Sequence, residues 1–241
     1  MKRWVTLIAV LLALTLAGPT LAQGGETPIA YGDAVEGEIT GAQFEVAYRF
    51  SGAAGDVVHI RLIPDESGEL YEPSLILLDA ENSLLTSVEG WYEAELLTAL
   101  PADGDYILLA SRTGGRTGES AGKYMLTLNQ VANLAAVGPV EGEMTNEETR
   151  LYAVPADVPF TLEFERLSGD FSPELTINVL TDYGDLELVS TLYGSNIRKS
   201  TLVIEPDPEQ PADYYYIQLA MSSWDWSYEP ASSHYRLTYT P

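Results

Sequence analysis

The chain has 241 residues, with 12 Lys and Arg against 36 Asp and Glu, so its formal net charge is −24. Such an acidic surface repels phosphate backbones and anionic lipid headgroups, which argues against nucleic-acid and membrane-surface partners. Because the sequence contains no cysteine, disulfides, thiolate catalysis, cysteine-bound zinc and an N-terminal lipidated cysteine are all excluded. Hydrophobic residues make up 46% of the chain, which is enough to build a packed core.

Residues 1–22 have the pattern of an export signal. Lys2 and Arg3 precede an apolar stretch, Val5 to Ala17, and the small-residue cleavage pattern Thr20-Leu21-Ala22 follows after a break. The apolar stretch is shorter than the ~20 residues of a membrane-spanning helix, so cleavage is favoured over anchoring. We therefore predict a signal peptide and a secreted protein, extracellular or periplasmic, without membrane insertion after cleavage. The mature chain would carry ten basic and 36 acidic residues, a net charge of −26.

The rest of the sequence repeats itself after 100 to 111 residues. Four blocks recur in the same order: Val35–Ile39 as Val140–Met144, Tyr71–Leu75 as Phe171–Leu175, Gly104–Leu108 as Tyr214–Gln218, and Gly122–Leu128 as Ser233–Tyr239. In the third block this alignment places Tyr106 opposite Tyr216. An ordered series of matches is typical of tandem domains. The sequence predicts one domain over 27–131, a short linker over 132–136 and a second domain over 137–241.

Within each repeat the hydrophobic pattern is that of strands. Val58, Ile60 and Leu62 alternate with other residues, as in a strand with one buried face. Leu75 to Leu78 is continuously apolar, which is typical of a strand buried on both faces. Residues 93–100 also fit a helix, but Pro101 and the neighbouring strand patterns favour a strand. We predict an all-β chain of two tandem antiparallel β-sandwich domains.

The first repeat contains an ordered series of six blocks: Gly32–Ile39, Tyr48–Phe50, Ala54–Val58, Pro73–Asp79, Leu100–Tyr106 and Gly122–Leu128. This series resembles the pre-peptidase C-terminal domain family of bacterial secreted proteins. The second repeat departs from the family pattern at Ala156-Asp157 and at Glu205–Pro208. The resemblance implies a jelly-roll-like β-sandwich that accompanies secreted peptidases and is not itself catalytic. It also implies that some relatives bind collagen or polysaccharide and that others bind calcium.

One catalytic motif matches by sequence. Gly118-Glu119-Ser120-Ala121-Gly122 spells G-x-S-x-G, but a nucleophile elbow requires a helix after the serine, and a strand pattern follows here. His59 and His234, the two histidines of the chain, are the candidates for a base, and they belong to different repeats. A hairpin loop is the preferred interpretation, and a serine hydrolase using Ser120 is the alternative.

Calcium is the one cofactor that the composition favours, because hard oxygen ligands are abundant in this acidic chain. The candidate ligands are acidic residues at turns: Asp79, Asp103, Asp105, Asp182 and Asp185. None of them fits the spacing of a D-x-[DN]-x-[DN]-G loop, and each is equally compatible with an ordinary turn.

Two groups of aromatic residues are candidates for ligand binding. Trp224, Trp226 and Tyr228 share one face at strand spacing, and Trp91-Tyr92 is a second group. Flat rings beside carboxylates and hydroxyls suit sugar rings or a protein hot spot, and packing against the fold is the alternative.

The sequence therefore predicts a secreted, non-catalytic binding or adhesion module that recognises an extracellular glycan or a matrix or cell-surface protein. A stabilising module that binds calcium or nothing, and the Ser120 hydrolase, remain as alternatives. The oligomeric state is left open.

Overall fold

The computed structural model describes residues 25–145, 148–169, 173–181, 186–193, 197–208, 212–221 and 232–241. Strands dominate these ranges, with one short helix, α1 (Leu134–Val137), and one 3-10 turn at Gly115–Thr117. The strands are β1 (Thr27–Pro28), β2 (Asp33–Ile39), β3 (Glu45–Gly52), β4 (Val57–Pro64), β5 (Pro73–Leu78), β6 (Leu84–Glu89), β7 (Ala94–Ala99), β8 (Gly104–Arg112), β9 (Gly122–Asn133), β10 (Val140–Thr145), β11 (Thr149–Pro155), β12 (Phe160–Ser168), β13 (Pro173–Leu180), β14 (Leu186–Tyr193), β15 (Lys199–Ile204), β16 (Tyr214–Met221) and β17 (Ser232–Thr240).

These strands form two sandwiches of identical strand order. In the first, the sheet β1-β3-β8-β5-β6 faces the sheet β2-β9-β4-β7; in the second, β11-β16-β13-β14 faces β10-β17-β12-β15. Neighbouring strands within each sandwich run antiparallel, except that β1 is parallel to β3. The prediction of an all-β fold with two tandem antiparallel sandwiches is confirmed, and residues 94–99 form a strand rather than a helix.

Each sandwich has its own hydrophobic core, formed by the alternating residues of the two facing sheets. In the first core, Ile60 and Leu62 of β4 meet Leu75 and Leu77 of β5. The other two residues of that run, Ile76 and Leu78, pack on the opposite face of the sheet in a separate cluster with Ala47, Ile107 and Leu109. The continuous apolar run is therefore a strand buried on both faces, as predicted.

A pair of buried tyrosines joins the two sheets of each sandwich. The hydroxyls of Tyr48 on β3 and Tyr124 on β9 are 2.9 Å apart, and Tyr152 pairs with Tyr235 in the same way. The two hydroxyls of each pair form a hydrogen bond with each other, which avoids the free-energy cost of leaving a buried polar group without a partner. Burial, with the neighbouring hydroxyl, raises the pKa of Tyr124 far above its ordinary value, so the pair stays neutral.

The strand pairing corrects the alignment of the repeats at three consecutive tyrosines. Tyr48 pairs with Leu108 in the first sandwich, and its counterpart Tyr152 pairs with Ile217 in the second. Leu108 therefore corresponds to Ile217, and Tyr106 corresponds to Tyr215 rather than to Tyr216. A shift of one residue reverses the side-chain direction, so Tyr215 lies in the second core while Tyr216 points out of it.

The end of β9 belongs to both sandwiches. After pairing with β2 and β4, this strand pairs in parallel with β11 through Ala132 and Asn133. The same arrangement occurs at the start of the first sandwich, where β1 pairs in parallel with β3. Leu134 then enters the second core with 0% exposure, as Ile29 enters the first. The residues predicted as a linker, 132–136, thus supply a strand end and a core side chain.

A further hydrophobic cluster lies between the sandwiches. Val57, Leu97 and Val131 of the first sandwich pack against Ala153 and Tyr216 of the second. The β9–β11 pairing joins one sheet of each sandwich into a single continuous sheet, and this cluster packs beside that pairing. The two sandwiches therefore meet through backbone hydrogen bonds and through buried apolar surface.

The tyrosine pair gives a first test, because Gly37 lies opposite Tyr124 on the adjacent strand. A Cβ at residue 37 would lie 2.3 Å from Cζ of Tyr124. We expect Gly37→Ala to lower the free energy of unfolding by about 1–3 kcal/mol through overpacking, measured by urea unfolding. Gly41→Ala is the control, since a Cβ there meets nothing within 4 Å. Equal stability of the two variants would contradict the close packing of the pair.

The shared strand gives a second test. We expect Leu134→Ala to lower the free energy of unfolding by about 2–5 kcal/mol, because it leaves a cavity in the second core. Val137→Ala, at a 58% exposed position of the same short helix, should change it by less than about 0.5 kcal/mol. Similar melting temperatures for both variants would mean that this segment acts as a simple linker.

Candidate aromatic binding site

The most exposed aromatic side chains among the described residues lie at one end of the first sandwich. Trp91 is 73% exposed and Tyr92 is 88% exposed, in the connection between β6 and β7. Tyr71, which is 49% exposed, lies in the connection between β4 and β5. We call Tyr71, Trp91 and Tyr92 the aromatic tip. The sequence predicted Trp91 and Tyr92 as ligand-binding residues but missed Tyr71.

The two connections of the aromatic tip are held together by backbone hydrogen bonds. Gly90 N donates to Pro73 O at 3.0 Å, and Glu72 N donates to Trp91 O at 3.2 Å. The turn is tight, since a Cβ on Gly90 would lie 1.7 Å from the carbonyl oxygen of Glu93. Glu93 is also fixed, because its carboxylate accepts a 2.6 Å bond from Arg61 of β4. The aromatic side chains therefore project from a defined backbone.

A third connection, between β8 and β9, completes this end of the sandwich. Arg112 is buried, and its guanidinium donates to Gly115 O at 2.9 Å and to Ser120 O at 2.5 Å. Thr113 N donates to Glu72 O at 2.8 Å, which joins this connection to the aromatic tip. The buried guanidinium thus organises the loop that follows it.

The same loop contains the G-x-S-x-G match, and its geometry does not assemble a serine triad among the described residues. Ser120 is buried, and it precedes strand β9 rather than a helix. His59 lies opposite Asn129, seven residues beyond Gly122 along β9, which is roughly 23 Å in an extended strand. His59 instead contacts Glu95 at 2.6 Å, and this hydrogen bond lowers the pKa of the Glu95 carboxyl. His234 lies on β17 of the second sandwich.

The predicted cluster Trp224, Trp226 and Tyr228 lies outside the described residues, and so do the candidate calcium ligands Asp182 and Asp185. The interpretation of these five residues rests on the sequence alone.

The other three candidate calcium ligands have hydrogen-bond partners within the protein. Asp79 accepts bonds from the backbone N–H groups of Glu81 and Ser83, which are the bonds of an ordinary turn. Asp103 accepts a 2.8 Å bond from Ala54 N, which joins two connections that are 49 residues apart in sequence. In the ranges that the structure describes, no group of three or more His, Cys, Asp or Glu side chains is placed to hold a metal ion.

Asp105 differs from the other two because its partners are side chains. It accepts bonds from the hydroxyl of Ser51 at 2.6 Å and from the guanidinium of Arg49 at 3.3 Å. The Ser51 hydroxyl first, and then Arg49, lower the pKa of the Asp105 carboxyl. This carboxylate is therefore stabilised in its charged form by side chains of the protein itself.

Comparison with known proteins gives neither a matching family nor a matching curated sequence. Solved structures are similar at low identity. The pre-peptidase C-terminal domain of a collagenase from Bacillus anthracis is 16% identical, with a TM-score of 0.37, over 44% of this chain and 95% of that domain. The PBSX exported protein XepA is 10% identical, with a TM-score of 0.28, over 87% of each chain. The N-terminal CBM22-1–CBM22-2 tandem domain of Paenibacillus barcinonensis Xyn10C is 9% identical, with a TM-score of 0.25, over 80% of this chain and 82% of that one.

Within the described part of the chain, no helix has the length and hydropathy to cross a bilayer.

The acidic residues give a third test. Added salt should raise the melting temperature, because it screens repulsion within a chain of net charge −24. Asp79, Asp103 and Asp105 already have partners within the protein. We therefore expect CaCl2 to raise the melting temperature by no more than NaCl does at equal ionic strength. A larger calcium effect would contradict this expectation. Loss of that extra effect in Asp182→Asn or Asp185→Asn would then assign the site to those residues.

Proposed function

We propose that this protein is an exported, non-catalytic binding module that uses the aromatic tip to recognise an extracellular polymer or protein, either a glycan or a matrix or cell-surface protein. The export pattern of residues 1–22 supports the location. The single observation that carries the binding proposal is the exposure of Trp91 and Tyr92 on a tightly constrained turn.

Aromatic side chains in this setting favour binding for two reasons. A tryptophan or tyrosine that becomes buried against a partner removes roughly 150–250 Å² from water, which is the largest contribution of any side chain. A constrained backbone reduces the entropy that is lost when the loop is immobilised by a ligand. The bonds from Gly90 and Glu72 supply that constraint before any partner arrives.

The charge around the aromatic tip restricts the partner. Glu89 is exposed and precedes the turn, and Glu72 lies beside Trp91 through the backbone bond. With a net charge of −24 over the whole chain, polyanions such as nucleic acids or sulfated glycans are repelled. The proposed partner is therefore a neutral glycan or a protein surface with neutral or basic character.

The proposal is tested with Trp91→Ala and Tyr92→Ala on an array of extracellular glycans and matrix proteins. Both variants should keep the wild-type free energy of unfolding within about 0.5 kcal/mol, because exposed side chains contribute little to stability. Both should lose binding to the partner that the wild type selects. Tyr193→Ala is the matched control, because Tyr193 is 71% exposed but lies on β14 of the second sandwich.

Two outcomes would contradict the proposal. One is destabilisation of both tip variants by about 3 kcal/mol or more, which is the cost of removing a core aromatic. The other is unchanged binding by both tip variants to the partner that the wild type selects. Loss of binding in Tyr193→Ala alone would place the binding surface on the second sandwich.

A further inference from the structure

A cavity of about 320 Å³ lies where the two sandwiches meet. Thr98 and Ala99 at the end of β7 form one side, and Ala212, Asp213, Tyr214 and Tyr216 of the second sandwich form the other. We call this space the junction cleft. It is distinct from the aromatic tip, since the tip adjoins the start of β7 and the cleft adjoins its end.

Tyr216 gives the junction cleft an unused polar group. This residue is only 4% exposed, and its side chain packs in the cluster between the sandwiches. Its hydroxyl forms no hydrogen bond with the described residues, whereas the buried hydroxyls of Tyr48, Tyr124 and Tyr152 each have a partner. Tyr216 lines the junction cleft, so its hydroxyl is available to a ligand there.

The surroundings of the Tyr216 hydroxyl are polar on one side and apolar on the other. Burial, followed by the nearby Tyr214 hydroxyl and the Asp213 carboxylate, raises the pKa of Tyr216. The phenol therefore stays protonated and can donate a hydrogen bond at neutral pH. Ala99 and Leu180 provide the apolar contacts of the cleft.

The lining restricts the chemistry of a ligand. The described lining residues offer hydroxyls from Thr98, Tyr214 and Tyr216 and a carboxylate from Asp213, with no Lys, Arg or His. An anionic ligand would therefore face the Asp213 carboxylate without a counter-charge. A neutral polyhydroxylated ring suits these groups, because its hydroxyls can donate and accept while its flat apolar face lies on tyrosine. The volume admits a single such ring rather than a chain.

We propose that the junction cleft binds one neutral sugar ring, with the Tyr216 hydroxyl and the Asp213 carboxylate as its hydrogen-bond partners. The site needs both sandwiches, because β7 contributes one side and β16 with its preceding residues contributes the other. It does not depend on the aromatic tip and would hold if the tip bound nothing.

The test uses the full chain and four neutral probes, D-glucose, D-galactose, N-acetylglucosamine and myo-inositol, at millimolar concentration. Saturation-transfer NMR detects binding, and titration calorimetry measures the affinity. We expect at least one neutral probe to bind, and glucose 6-phosphate to bind more weakly than glucose. Tyr216→Phe should weaken binding about tenfold, the effect of losing one good hydrogen bond. Its melting temperature should stay at the wild-type value, because the hydroxyl has no hydrogen-bond partner among the described residues to lose.

Two further variants keep the test decisive. Tyr92→Phe removes a phenol from the aromatic tip and should leave probe binding unchanged. Ala99→Leu fills the cleft and should abolish binding, and this holds even if Tyr216→Phe proves unstable. The proposal is overturned if none of the four neutral probes binds, or if Tyr216→Phe and Ala99→Leu both bind like the wild type. Loss of binding in Tyr92→Phe alone would assign the sugar to the aromatic tip instead.

Discussion

The parallel pairing of the end of β9 with β11 is the constraint on which the arrangement of the whole chain depends. Up to Val131 this strand pairs within a sheet of the first sandwich, and at Ala132 and Asn133 it pairs with β11 of the second. An independent reorientation of either sandwich would break these backbone bonds and would expose Val131 and Leu97 to water. No free linker is left between the repeats, because Leu134 is already a core residue.

This sharing explains where the two candidate sites lie. The aromatic tip is built by connections of the first sandwich that lie away from Ala132 and Asn133, the shared end of β9, so it remains open to a large partner. The junction cleft exists because β7 ends beside β16, where Tyr214 and Tyr216 face the first sandwich. A sandwich on its own would have the tip but not the cleft. The tandem arrangement therefore adds a site that a single copy of the fold cannot form.

Much of the fold could be predicted because its determinants are local. The alternation of Val58, Ile60 and Leu62 indicates a strand with one buried face. The apolar run Leu75–Leu78 indicates a strand that is buried on both faces. These features depend on residues that are close in the chain, and period and turn chemistry describe them well.

The features that could not be predicted depend on distant contacts. Leu134 is a single large apolar residue among alanines, and nothing beside it in sequence indicates a core position. Tyr214, Tyr215 and Tyr216 are chemically alike, so the alignment of the repeats could slip by one residue until the pairing with β11 resolved it. Tyr71 joins the aromatic tip only because its connection bonds to one that is 19 residues away in sequence, at Trp91.

Differential scanning calorimetry of the full chain tests the shared strand most directly. If the two sandwiches are coupled through β9 and the cluster around Tyr216, they unfold together. We therefore expect one transition whose calorimetric and van't Hoff enthalpies agree. Two separable transitions, each with the enthalpy of about half the chain, would contradict it, because they would mean that each sandwich unfolds without disturbing the other.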